Sequence, residues 1–266
     1  MAITAAVVNE LRQATGCGLM DCKKALIECE GDMEKAVMYL REKGLASQAK
    51  KASRVAAEGM AYATVIDGVG VVVEVNCETD FVANGEPFNN FVKGVAAVVA
   101  KENPADVDAL MGCPWVTGNG TVKDAKDELF LAIRENMSIR RFKQVTEENG
   151  FVSSYIHAGG RIGVLLDVQT DVVNDAVKEM AKNVCMQVAA LKPQFTNRNE
   201  VSAEHIAHEK EILLAQIMND PKESQKPAKV IDGIVTGRIN KELKEICLLD
   251  QVYVKAEDGK QSVGNY

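Results

Sequence analysis

A chain of 266 residues, 47% hydrophobic and 26% charged, can bury a sizeable core and does not read as a disordered polymer. Its net charge of −7 argues against nucleic-acid binding, which needs a basic face; Lys23-Lys24, Lys50-Lys51 and Arg140-Arg141 are only short basic spots. The amino terminus lacks a basic stretch leading into an apolar run, and no segment approaches membrane-spanning length, so a cytoplasmic protein is expected.

The first stretch, 1–45, predicts three short helices from the 3.6-residue spacing of its apolar positions. Helix one carries Val7, Val8 and Leu11 with Thr4 as N-cap, and Thr15-Gly16-Cys17-Gly18 breaks it. Helix two, about Met20 to Glu30, buries Cys22, Ala25, Leu26 and Cys29. Gly31-Asp32 leads into helix three, with Met33, Ala36, Val37 and Leu40 inward and Gly44 at its end. Three such helices make a very small core, which suits a docking module better than a catalytic one. Residues 46–58, rich in Ala, Lys and Ser, read as a partly helical linker.

Beyond it Met60 to Ile66 and Val69 to Val75 flank Asp67-Gly68, a strong hairpin signal. Thr79-Asp80 follows, then helical spacing through Phe88, Phe91, Val92, Val95 and Val99, closed by Pro104. A further helix, about Lys123 to Glu135, leads to the strand-like Ser138 to Phe142. A second hairpin, Phe151 to Val168, turns at Ala158-Gly159-Gly160. Gly70 to Val75 matches Gly163 to Val168, and each is followed by Thr-Asp and a helix. This suggests a weak internal duplication, with chance likeness between β-rich hairpins as the alternative. An α+β core results, with one subdomain over 59–148 and another over 149–192 joined to 246–266.

Between them, 193–245 holds two amphipathic helices marked by Ile206, Leu213 and Ile217 and by Val230, Ile234 and Leu243, joined by the proline-fenced turn Asp220 to Pro227. Their narrow apolar stripe fits a projecting antiparallel coiled coil that meets a second chain or pairs two copies as a homodimer; folding back on its own core fits the pattern equally well. The chain closes with a strand-like Gln251 to Lys255 and a polar tail to Tyr266.

Little catalytic chemistry is visible. The seven cysteines are odd in number and scattered, as free thiols are, and none of His157, His205 and His208 has a cysteine at zinc-site spacing. No metal or cofactor is expected. Thr15-Gly16-Cys17-Gly18 lacks the residue order of a phosphate loop, and Gly159-Gly160-Arg161-Ile162-Gly163 lies inside a hairpin rather than between strand and helix. Cys77 with His157 is the one pairing that could serve as a thiolate nucleophile, although nothing marks a third residue to orient the histidine. Thr79-Asp80-Phe81-Val82-Ala83-Asn84 differs in kind. Thr79 or Asp80 suits a helix cap, but Phe81 stands at a strand–helix junction with little apolar cover, and reads equally as core or as an interface anchor.

Two segments are very specific: Leu11 to Leu26, with Thr15-Gly16-Cys17-Gly18-Leu19-Met20-Asp21-Cys22-Lys23-Lys24, and Glu74 to Ala83, with Asn76-Cys77-Glu78-Thr79-Asp80-Phe81-Val82. With Ile139-Arg140-Arg141 and Ser154 to Val164, they resemble the bacterial elongation factor Ts family over nearly the whole chain. The resemblance implies an N-terminal three-helix domain of the ubiquitin-associated type, a core of two α+β subdomains and an inserted antiparallel coiled-coil hairpin. It implies a non-enzymatic exchange factor whose partner is elongation factor Tu; a binding adaptor without exchange activity is the alternative. Partner contacts carry over to Arg12, Leu19 and Met20, where the family often has methionine at the position of Leu19, and to His157. Thr79, Asp80, Phe81 and Val82 carry over as the segment that disturbs the partner's Mg²⁺ site. The family pattern continues with another strand and a C-terminal helix where this sequence ends at Tyr266, so no C-terminal contacts carry over.

Overall fold

Thr4 opens the first helix: its extended backbone and its Oγ1, which accepts from Val7 N at 3.4 Å, serve one of the amides that a helix start leaves unpaired. The computed structural model describes residues 3–118 and 120–266. In it α1 (Ala5–Thr15), α2 (Leu19–Glu28) and α3 (Met33–Lys51) pack around Val8, Leu11, Cys22, Leu26, Ala36 and Leu40. Gly16 ends α1 at φ 65°, a left-handed conformation that costs glycine little.

Helix α3 does not stop at Gly44, as the sequence reading expects. It continues to Lys51 and takes in the start of the expected linker. The reason is packing. Gly44 is buried, and a Cβ on it would overlap the side chain of Leu131, so this glycine admits a close approach rather than capping a helix. Leu131 belongs to the larger part of the molecule and completes the core of the small bundle.

Strands β1 (Glu58–Ile66) and β2 (Val69–Cys77) form a hairpin whose turn residues Asp67 and Gly68 both have positive φ, 50° and 84°, as a tight two-residue turn requires. A short helix, α4 (Asp80–Ala83), turns the chain into α5 (Glu86–Glu102), followed by α6 (Val107–Gly112) and α7 (Val122–Ile133). Strand β3 (Ser138–Thr146) then pairs with β2, giving an antiparallel sheet in the order β1-β2-β3. Alternation along β2 puts Val71, Val73, Val75 and Cys77 on one fully buried face, covered by Phe88, Val92, Val95 and Val99 of α5. Full burial of each such side chain contributes about 1.5–3 kcal/mol, so this layer is the rigid support of the β2–α4 corner.

Strands β4 (Gly150–His157) and β5 (Ile162–Gln169) pair with each other and lie on the opposite face of β1 and β2. Gly70 makes room there for Val152, Gly163 sits against Ala61 and Val72, and Ala61 N donates to Gly160 O at 2.6 Å. Both hairpins are followed by 17-residue helices, α5 and α8 (Asp175–Leu191), but their local roles differ. Thr79 caps a helix, whereas Thr170 closes a small turn by accepting from Val172 N at 3.1 Å.

By its internal contacts the chain forms two units, Met1–Lys182 and Asn183–Tyr266, so the division runs through α8 and the expected subdomain of 149–192 with 246–266 spans it. In the second unit α9 (Ala203–Asn219) and α10 (Ala228–Ile246) run antiparallel, with Ile206 near Ile239 and Leu243 at one end and Ile217 near Ile231 and Val235 at the other. The expected strand at Gln251 to Lys255 does not form. Val254 N donates instead to the buried Gln187 at 2.8 Å and Tyr253 N to Gln261 O at 2.9 Å, leaving one isolated bridge between Val252 and Ser262. Among the described residues no helix is long and apolar enough to cross a membrane.

Candidate functional site

The corner between β2 and α4 is built from the end of a buried strand and a capped helical turn. Thr79 is the N-cap of α4, its Oγ1 accepting from Val82 N at 3.3 Å. A distant carboxylate clamps the same point. Glu135 Oε2 accepts from Glu78 N at 3.1 Å and Thr79 N at 3.0 Å, and Oε1 accepts from Thr79 Oγ1 at 2.7 Å. Glu78 ties the corner in the other direction, accepting from Asn136 N at 2.7 Å and pairing with Arg54 at 3.3 Å. The amide hydrogen bond from Asn136 holds the Glu78 carboxyl below the usual carboxylate range, with Arg54 assisting. On the far side Asn84 Nδ2 donates to Asp80 O at 2.8 Å, and Asn89 Nδ2 donates to Ala83 O and Gly85 O.

The four residues Thr79 to Val82 divide by direction. Val82 is buried in the main core, while Thr79 and Asp80 are exposed. Phe81 is 86% exposed. An aromatic ring in water on a backbone so thoroughly fastened is unusual, since a phenylalanine free to turn inward gains its transfer free energy. Here Val82 and Ala83 occupy the inward positions, and the one-turn helix leaves Phe81 nowhere but solvent.

Arg12 lies in the last turn of α1, and Leu19 and Met20 open α2 after the Gly16–Gly18 turn. All three are exposed, Leu19 at 45% and Met20 at 63%. Leu19 and Met20 are adjacent large apolar side chains left in water on a small, well-packed bundle. His157 is exposed at the end of β4, its Nδ1 3.0 Å from Tyr155 Oη.

The structure does not join Cys77 to His157. The Cys77 thiol is fully buried and donates to Thr79 O at 3.2 Å, and its pKa is pushed up to about 11, first by burial and then by the charge of Glu135. A buried thiol that donates to a backbone carbonyl and is raised in this way is not the activated thiolate the sequence allowed for.

Sequence reading missed the clamping roles of Glu135, Asn136 and Arg54, and of Glu78 within the corner itself. Glu135 lies 56 residues from Thr79, and nothing in its neighbourhood marks it. Val55 was also missed. It is 81% exposed in a stretch read as linker, next to the arginine that reaches Glu78.

A family model described as Elongation factor TS matches residues 78–266. A relative called Elongation factor Ts from Clostridium perfringens (strain SM101 / Type A) is 49% identical over 263 residues, 98% of this chain and 84% of the relative. Proteins of the same name from Trichlorobacter lovleyi and Clostridioides difficile (strain 630) are 49% and 48% identical, covering 97% and 96% of this chain and 84% and 83% of their own lengths. Likeness at this level over nearly every element described above has one reading: the chain belongs to the elongation factor Ts family, a family of translation elongation factors.

Proposed function

We propose that this chain is a guanine-nucleotide exchange factor that binds elongation factor Tu carrying GDP and promotes GDP release. The observation that carries the reading is Phe81, left 86% exposed on a corner clamped by Glu135. A GTPase holds its nucleotide through Mg²⁺ and a phosphate loop, so an exchange factor needs no chemistry of its own. It must bind the nucleotide-free partner more tightly than the loaded one, and linkage then makes nucleotide and factor expel each other. Phe81 enters an apolar pocket of the partner as a wedge. Asp80, carried on the same turn, disturbs the partner's Mg²⁺ shell, while Thr79 and Val82 hold the turn in shape.

The other contacts follow the remaining exposed features. Residues 1–45 act as a docking domain of the ubiquitin-associated type through Arg12, Leu19 and Met20, and His157 makes a further contact from the core. Residues 193–245 act as a coiled-coil hairpin. Exposed Ile212, Met218 and Val230 along it support the reading that the hairpin meets a second chain, whether the partner or another copy. The chain acts without catalytic residues, consistent with the protonated, buried thiol of Cys77.

The deciding experiment is stopped-flow release of a fluorescent GDP analogue from elongation factor Tu. A buried aromatic anchor is worth on the order of 2 kcal/mol, about 30-fold, so Phe81→Ala slows release by roughly that factor or more. Its thermal melt stays that of the wild type, because the side chain is exposed. Unchanged release in this variant overturns the wedge. Binding of the wild-type chain without faster release favours the adaptor, and loss of activity in Cys77→Ala favours the enzyme.

A further inference from the structure

Outside the corner and the helical bundle, one cluster combines metal-ligating side chains from two helices. His205 and Glu209 are four residues apart on α9, so they share a face, and Glu242 approaches from α10. One nitrogen or oxygen from each lies within 4.8 Å of the others.

The imidazole supplies a second, independent observation. His205 Nε2 is itself shielded from solvent and makes no hydrogen bond, although the side chain as a whole is 34% exposed. Its nearest acidic atom, Glu242 Oε1, is 3.6 Å away, too far for a hydrogen bond. Buried polar atoms in native proteins are nearly always satisfied, so this one calls for a partner. Two ligands of one tetrahedral ion with bonds of about 2.0–2.2 Å stand about 3.3–3.5 Å apart, close to the 3.6 Å between His205 and Glu242, while Glu209 reaches the pair only to within 4.8 Å and must draw in to complete the set. The ring is also held in place. It meets Phe195 edge-on with centroids 6.1 Å apart, on a backbone whose His205 amide donates to the N-cap Ser202 Oγ at 3.1 Å.

We infer that His205, Glu209 and Glu242 form a divalent transition-metal site, of the Zn²⁺ class, that clasps the two helices of the hairpin near its base. Imidazole with carboxylates selects such an ion over Mg²⁺ or Ca²⁺, which prefer all-oxygen sets. Three protein ligands leave a fourth position for water. The sequence screen looked for cysteine near histidine and so passed over the site, because its third ligand sits 37 residues away on the facing helix. The site lies within the second unit and does not depend on the exchange reading.

The test is titration of the full, reduced chain with Zn²⁺ by calorimetry, and with Co²⁺ by absorption. One equivalent binds, and the Co²⁺ spectrum shows ligand-field bands without the charge-transfer band of a thiolate. Loss of a ligand in His205→Asn, or in the isosteric Glu242→Gln, weakens binding by roughly tenfold or more. His208→Asn, altering the exposed histidine three residues along, leaves binding unchanged. Far-UV circular dichroism of Glu242→Gln checks that the hairpin still forms. The proposal is overturned by no binding to the wild type, by equal binding to His205→Asn, or by a thiolate band placing the ion at the cysteines.

Discussion

Glu135 lies just past the C-cap of α7, on a backbone turned by Arg134 at φ 63°. Its carboxylate takes three hydrogen bonds from Glu78 N, Thr79 N and Thr79 Oγ1, at 3.1, 3.0 and 2.7 Å. Glu135→Ala removes all three. A hydrogen bond to a charged group is worth about 1.5–3 kcal/mol when deleted singly, but these three share one acceptor group and Thr79 is exposed to replacing water. The expected loss is therefore about 2–3 kcal/mol in total rather than the simple sum. Glu135→Gln behaves differently. Its amide oxygen still accepts both backbone N–H groups, and its NH₂ donates to Thr79 Oγ1, which has a second lone pair for Val82 N. The charge assistance goes and the Thr79 hydroxyl proton turns to water instead, together costing about 1 kcal/mol or less. Urea unfolding and GDP release, measured on the same preparations, read the two consequences. Alanine lowers both stability and release although Phe81 is untouched, and glutamine retains most of each. The Cys77 thiol in Glu135→Gln titrates below about 11 yet above an ordinary cysteine, because burial remains the larger cause. Wild-type stability and release in Glu135→Ala would refute the clamp, and equal damage from both substitutions would show that charge rather than the hydrogen-bond set holds the corner.

Gly59, at φ 141° in β1, carries a second test. A Cβ there meets the carbonyl of Val75 and the Cα of Asn76, backbone atoms that cannot turn aside. Gly59→Ala is expected to cost about 2–4 kcal/mol from overpacking and backbone strain together, read as a lower urea midpoint. Glu74 sets an acid limit on stability. Burial alone raises its carboxyl, but the hydrogen bond and charge of Arg141, then those of Arg140, outweigh it and leave the group below the usual carboxylate range. A depressed folded value stabilises above the unfolded carboxylate pKa, and that contribution fades as pH falls through the folded value. The double variant Arg140→Ala with Arg141→Ala is thus expected to titrate Glu74 higher by NMR and to flatten the acid limb of the urea midpoint.

Legibility from sequence follows the range of the interactions. The helices of the bundle, the Asp67-Gly68 hairpin, the helix running through Phe88 to Val99 ahead of Pro104 and the α9–α10 pair are written in local periods and turn residues, which act within a few positions. Gly44 misled because a glycine that caps a helix and a glycine that admits Leu131 look alike until the second element is present. Gln251 to Lys255 misled because the side chain of Gln187 takes the backbone partner a strand would use. Residues by themselves, with the specific segments around Cys17-Gly18-Leu19-Met20 and Thr79-Asp80-Phe81-Val82, determined the family and the candidate corner. They left Phe81 balanced between core and surface, since composition carries no burial. Only tertiary structure decided that: Val82 and Ala83 fill the inward positions, and Glu135, remote in sequence, holds the turn that leaves the ring in water.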